Sequence, residues 1–182
     1  MADILGFKEI PRRMKARKGF ESWINRFSEP FDDNTYLRDL SDSTLRALIQ
    51  PGEEASMLLY ELIMGVRGLG RGLRFYFLEN DEKMIVMDIS LFLLDQFRFE
   101  AMRRLGLVTD HPTFQVPLVD LVLDFNTRFD AIKNQTPCLS VDHPRFDEYA
   151  KTFVGDKGSF VRKLIPEVIE TFGNEDHGMS DR

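Results

Sequence analysis

The sequence predicts a mainly α-helical fold, a single-domain helical bundle, on three observations. Apolar residues recur at three- and four-residue spacing along most of the chain, residues that start and stop helices bracket those stripes, and 182 residues suit one core. A chain of this length buries roughly 70% of the surface that its unfolded form exposes. Its hydrophobic share of 43% and charged share of 30% are those of an ordinary globular protein, which excludes a disordered or fibrous chain. Sixteen Phe against one Trp and four Tyr supply large rings without polar handles. Such rings suit a core wedged between helices, the competing use being a pocket for a hydrophobic ligand. No internal repeat or low-complexity run occurs, and Pro and Gly are scattered rather than gathered into a linker. The expected organisation is a basic N-terminal arm over residues 1–19, a helical domain over 20–173 and a disordered tail over 174–182.

The first helical stripe is Phe20, Trp23, Ile24 and Phe27, stopped by Glu29 and Pro30. Ser41 or Asp42 then stands where a cap is needed for a short helix carrying Leu45, Leu48 and Ile49. Pro51 suits the opening turn of the next helix, where Glu53 and Glu54 complement the helix dipole, and its stripe from Met57 to Val66 runs to Gly68. The middle of the chain admits two readings. In one, residues 80–105 form a single helix, with acidic residues in its first turn, Arg103 and Arg104 in its last and Gly106 as its stop. In the other, the aromatic and β-branched runs on either side of Glu79–Glu82 make a β-hairpin over about residues 73–89, followed by a shorter helix. Either way Leu91–Leu105 is helical and apolar on most sides, as in an element at the centre of a domain. Pro117 opens a stripe from Leu118 to Ile132 that ends near Asn134, and Asp142 caps a helix through Phe153 that Gly155 closes. A last helix starts at Ser159, with a kink or restart at Pro166.

Charge is unevenly distributed. The net value is −6, yet residues 1–20 hold six basic side chains against two acidic ones, which leaves −10 on the remainder. An acidic body repels phosphate backbones, so nucleic acid or an anionic membrane surface is expected to bind only through Arg12, Arg13, Lys15, Arg17 and Lys18 of the arm. A protein partner for that arm is the third possibility, and docking on the protein's own acidic body a fourth. The longest apolar stretch, Met84–Leu94, is interrupted by Asp88 and falls short of the roughly 20 residues of a membrane span. With Cys138 as its single cysteine and no secretory pattern at its start, the chain is expected in the cytoplasm.

The most specific local feature is the run from Gly65 to Arg74, in which glycines alternate with arginines at a helix end. Glycines let backbone N–H groups approach an anion and guanidinium forks grip phosphate or carboxylate, so Arg67, Gly68, Gly70, Arg71 and Arg74 form an anion-binding candidate. The same residues also suit a plain helix cap, and they match neither a P-loop nor a dinucleotide fingerprint. Asp88 and Asp95, two helical turns apart, lie on one face amid apolar residues, where a buried carboxylate needs a partner. Arg67, Arg71 or Arg74 is the partner in one reading, and in the other the two carboxylates lie on a solvated edge of the helix. Asp32 with Asp33 reads as a turn, and Asp124, four residues from Asp120, reads as an ordinary surface ion pair with Arg128, rather than as metal or catalytic groups, and Cys138 and His143 lack further zinc ligands. No metal, cofactor or catalytic residue is assigned. Arg104 and His111 superficially resemble the arginine and histidine element of the helical HEPN ribonucleases, a resemblance that covers two residues only, with Leu105 where that family usually has a polar residue. The sequence is therefore expected to encode a non-enzymatic interaction module with a protein partner or a second copy of itself. The alternative is an enzyme or sensor that takes an anionic small molecule, phosphorylated or carboxylated, at the arginine and glycine cluster.

Overall fold

The computed structural model describes residues 3–127, 129, 130 and 132–174, with residues 3–10 described as backbone. Among these residues are eight α-helices and no sheet strand. The first, α1 (Asp3–Phe27), runs straight through the segment expected as an arm. The reason lies in two small residues. Ala16 and Gly19 are buried, and a methyl group on Gly19 would stand 2.5 Å from a Val66 methyl and 3.0 Å from the Leu62 carbonyl. Gly65 mirrors it, with space for no Cβ because the Lys18 carbonyl and the Gly19 Cα are 2.6 and 2.7 Å away. The missing side chains bring α1 against α3 (Glu53–Arg67) at backbone distance, and that close approach keeps residues 11–19 helical. The expected tail lies outside the described residues apart from Asn174.

Between α1 and α3, α2 (Asp42–Ile49) starts at Ser41, whose hydroxyl accepts the Thr44 N–H at 3.1 Å and satisfies one orphan donor of the first turn. At the far end of α3, Gly68 takes the left-handed conformation at φ 70°, and the Leu69 N–H returns to the Met64 carbonyl at 2.9 Å. The two readings of the middle segment resolve in favour of helix. Gly72–Phe77 is a 3-10 helix, and α4 runs unbroken over Asn80–Arg104, so the hairpin over 73–89 does not form. Burial shows why. Val86, Ile89, Leu93 and Phe97 are fully buried at helical spacing, whereas a strand would put exposed Met84 and Asp88 on the same face as Val86. Phe75 also stacks on Tyr60 of α3 with ring centroids 4.4 Å apart, which seats the 3-10 turn on a helix.

Helix α4 packs against α2, α3 and α8 (Ile165–Asn174), the central position expected for it. Around it the rings of Phe20, Trp23, Phe27, Phe31 and Phe97 interlock, and the Trp23 indole N–H donates to the Leu58 carbonyl at 2.9 Å. Helix α5 (Leu118–Leu123) is shorter than its apolar stripe predicts, because the chain turns at Asp124 and reaches Phe125 and Phe129, both buried, through turns. Helix α6 (Phe146–Lys151) and α7 (Lys157–Arg162) follow, and α8 restarts with Pro166 in its first turn, where proline's missing N–H costs nothing. Among the described residues no helix is long and apolar enough to cross a membrane.

Candidate interaction surface

The arginine and glycine cluster does not close on a cavity as a unit. Of its three guanidinium groups, Arg71 alone lines the cleft of about 350 Å³ at the end of α3. Lys18 joins it there, but Glu21 and Glu61 line the same cleft, and Glu21 lies 3.5 Å from the Arg71 guanidinium. Arg67 is half-buried with an Nε that has no hydrogen-bond partner, and the Arg74 side chain lies over Gly70. The glycines have local reasons: Gly68 caps the helix and Gly70 sits at φ 96° in the turn that follows.

The carboxylates of α4 also find a different partner from the one expected. Asp95 pairs with Arg162 of α7, 3.1 Å away, rather than with Arg67, Arg71 or Arg74. Asp88 is exposed. Both line a shallow cleft with Lys133 and Arg162, and the Arg162 guanidinium also rests over the Phe99 ring at 5.9 Å. In the basic segment, Arg12 is committed to internal bonds. Its guanidinium grips Asp120 through two hydrogen bonds of 2.9 and 3.0 Å and reaches the Asp33 carboxylate at 2.8 Å. The bond to Asp120 is the main reason its pKa rises, against the opposing effect of burial. Arg13, Lys15, Arg17 and Lys18 are exposed along α1.

Two features escaped the sequence reading. The first is Glu100, fully buried in α4, which accepts two hydrogen bonds of 2.8 Å from Arg103 and one of 2.9 Å from Arg104. Arg104 continues to Asp42 at 2.7 Å and to the carbonyls of Leu37 and Leu40, so one side chain ties α4 to the turn before α2. That commitment separates Arg104 from any role with His111. His111 is buried beside Phe99 and Phe114, its Nδ1 lies 2.8 Å from the Thr113 hydroxyl, and burial lowers its pKa. Among the described residues no three His, Cys, Asp or Glu side chains gather to hold a metal ion.

The second feature is a band of exposed apolar side chains along the 3-10 turn and the first half of α4. Leu73, Tyr76, Phe77, Met84, Met87 and Leu91 all face solvent, with Phe77 85% and Leu91 63% exposed. They are linked through packed neighbours. Tyr76 lies edge-on to Phe75, Phe75 stacks on Tyr60, and Tyr60 lines a cleft of about 140 Å³ whose opposite wall is Met87, Leu91 and Leu94. Exposed apolar side chains gathered on one stretch of chain mark a candidate contact site, whereas single exposed apolar residues are ordinary. The signal in the sequence is the spacing Met84, Met87, Leu91 and Leu94, which repeats every seven residues. Comparison with known proteins gives no match: no family model fits the chain, and no curated protein or solved structure is similar to it.

Proposed function

We propose that the protein is a non-enzymatic interaction module that docks a protein partner on the apolar band formed by the 3-10 turn and the outer face of α4. The observation that carries this reading is the exposure of Phe77, Met84, Met87 and Leu91, the last two of which line a cleft with Tyr60 and Leu59. Methionine is unbranched and polarisable, so a methionine-rich surface adapts to the partner that lands on it. Leaving such a surface in water is unfavourable by roughly 25 cal/mol per Å², and a partner that covers it recovers that term. The rival reading, an anionic small molecule at Arg67, Gly68, Gly70, Arg71 and Arg74, has one guanidinium at its cleft and two carboxylates facing it.

Site-specific photo-crosslinking tests the proposal in cells that normally make the protein. A benzophenone side chain at Met87 is expected to give a discrete protein adduct, and the same group at Lys151, exposed on α6, is expected to give none. The adduct should disappear when Leu91→Asp is added. An equal yield from the two positions, or an adduct indifferent to Leu91→Asp, refutes the docking surface.

A further inference from the structure

We infer that the occupant of this surface is an amphipathic helix of a partner chain with basic side chains flanking its apolar seam. The inference rests on the docking surface proposed above and specifies the chemistry of what it takes. Along α4 the exposed apolar positions Met84, Met87 and Leu91 have the spacing of a two-helix seam, which the partly buried Leu94 continues by one position. Phe77, seven residues before Met84, lies outside α4 at the end of the 3-10 turn. Their opposite side is already spent on the core through Val86, Ile89 and Leu93, so the seam faces outward with one helical surface still to be covered. The cleft between α3 and α4, about 140 Å³, is close to the size of a cavity that holds one benzene ring, room for a single large anchor side chain.

Charge selects among possible occupants. Four residues after each outer seam position stands an aspartate, giving the row Asp81, Asp88 and Asp95, of which the first two are exposed and the third is held by Arg162. On the other flank the equivalent positions are Lys83, which is partly exposed, and Ser90, which is buried. A second copy laid antiparallel on the seam sets two aspartate rows against each other, and one laid parallel offers Lys83 alone in return. Like charges at such flanking positions discriminate against a pairing, and opposite charges set partner choice and orientation. An anionic membrane surface is repelled by the same row. A helix whose apolar side chains enter the seam and whose lysines or arginines meet Asp81 and Asp88 satisfies both features at once.

The test uses the full chain and two fluorescent helical peptides of roughly 18 residues, about five turns. Both carry leucine at the seam positions; one has lysine at the flanking positions and the other glutamate. Anisotropy titrations at low ionic strength should show the lysine peptide binding about tenfold or more tightly than its glutamate twin, a difference of about 1.4 kcal/mol. The preference should reverse in Asp81→Lys/Asp88→Lys, and binding should be lost in Leu91→Asp; all three positions are exposed, and circular dichroism checks that the variants remain helical. Equal affinity for the two peptides, a preference unmoved by charge reversal, or no binding of either peptide overturns the partner class. Binding that persists in Leu91→Asp instead takes down the docking surface itself, so the two failures are told apart.

Discussion

Replacing Arg104 with methionine removes a charged side chain of similar length from three contacts whose values differ. The bond to Asp42 involves a carboxylate that is 64% exposed and contributes at most a few tenths of a kcal/mol, about the value of a surface pair. The bond to Glu100 differs because that carboxylate is fully buried, and a hydrogen bond to a charged group in such a place contributes about 1.5–3 kcal/mol. The Leu37 and Leu40 carbonyls lose their donor as well, which adds about 1–2 kcal/mol of uncompensated desolvation. The expected loss is about 4 kcal/mol, a large share of the roughly 5–15 kcal/mol by which domains are stable. Urea unfolding followed by the fluorescence of Trp23, the only tryptophan and fully buried, reads it directly. With a slope of about 2.5 kcal/mol/M the midpoint should fall by about 1.5 M. Arg103→Met is the comparison. Arg103, 34% exposed, gives up two hydrogen bonds to Glu100 but leaves that carboxylate bound to Arg104 and the Leu37 and Leu40 carbonyls in their bonds, so about 2 kcal/mol and a midpoint change of about 0.8 M are expected. The double variant Glu100→Met/Arg104→Met should cost less than the sum of its parts, because the buried charge leaves with its partner. A shift for Arg104→Met no larger than that for Arg103→Met refutes the reasoning.

Other expectations follow from single contacts. Gly65→Ala puts a methyl group 2.6 Å from the Lys18 carbonyl, so α1 must move off α3, and about 3 kcal/mol should be lost in the same unfolding assay. Gly68→Ala meets no atom and carries only the left-handed backbone cost, about 1 kcal/mol, so equal losses at the two glycines would contradict the close helix approach. His111 is buried in its neutral form and its folded pKa lies below the unfolded value of 6.5, so its contribution is present above that pH and is lost as pH falls toward the folded pKa. Between about pH 7.5 and 5.5 the wild type should therefore lose stability that His111→Asn does not lose, and parallel pH profiles would count against a buried neutral ring. Asp95→Asn should lower the midpoint only slightly, about 0.5 kcal/mol in a partly exposed pair, and a double-mutant cycle should give coupling with Arg162 and none with Arg71.

The elements most legible in the sequence were those whose apolar stripe and caps agree. Ser41, Gly68, Gly106 and Pro166 each act where helix chemistry puts them, because capping depends on residues within one turn. The errors have a common physical origin in contacts far apart along the chain. Residues 11–19 read as an arm, solvated or docked on the acidic body, rather than as part of the first helix, because their packing face is Ala16 and Gly19, too small to show as an apolar stripe, and it is the facing Gly65 of α3 that makes smallness an asset. Glu100 escaped because its four-residue spacing to Arg104 is that of any surface pair, and only the turn that folds over it, with Leu37 and Leu40, makes the bond an interior one. Asp95 was visible as a charge needing a partner, but Arg162 stands 67 residues away and nothing local points to it.

The candidate surface was illegible for the opposite reason. Helix α4 carries apolar residues on nearly every side, and in the sequence Met84 and Leu91 look no different from Ile89 and Leu93. The distinction comes from the neighbours: α2, α3 and α8 cover one side of α4, and Asp81 and Asp88 lie exposed on the other, while Asp95 is held by Arg162 of α7. A helix intended only for a core gains nothing from charges seven residues apart beside an apolar seam, while a helix that meets a partner gains specificity from them. Replacing Met84 and Leu91 together by serine is therefore expected to leave the urea midpoint within about 0.5 kcal/mol of wild type, as for surface positions, while removing peptide binding. A large loss of stability in that variant would place the seam among the core contacts.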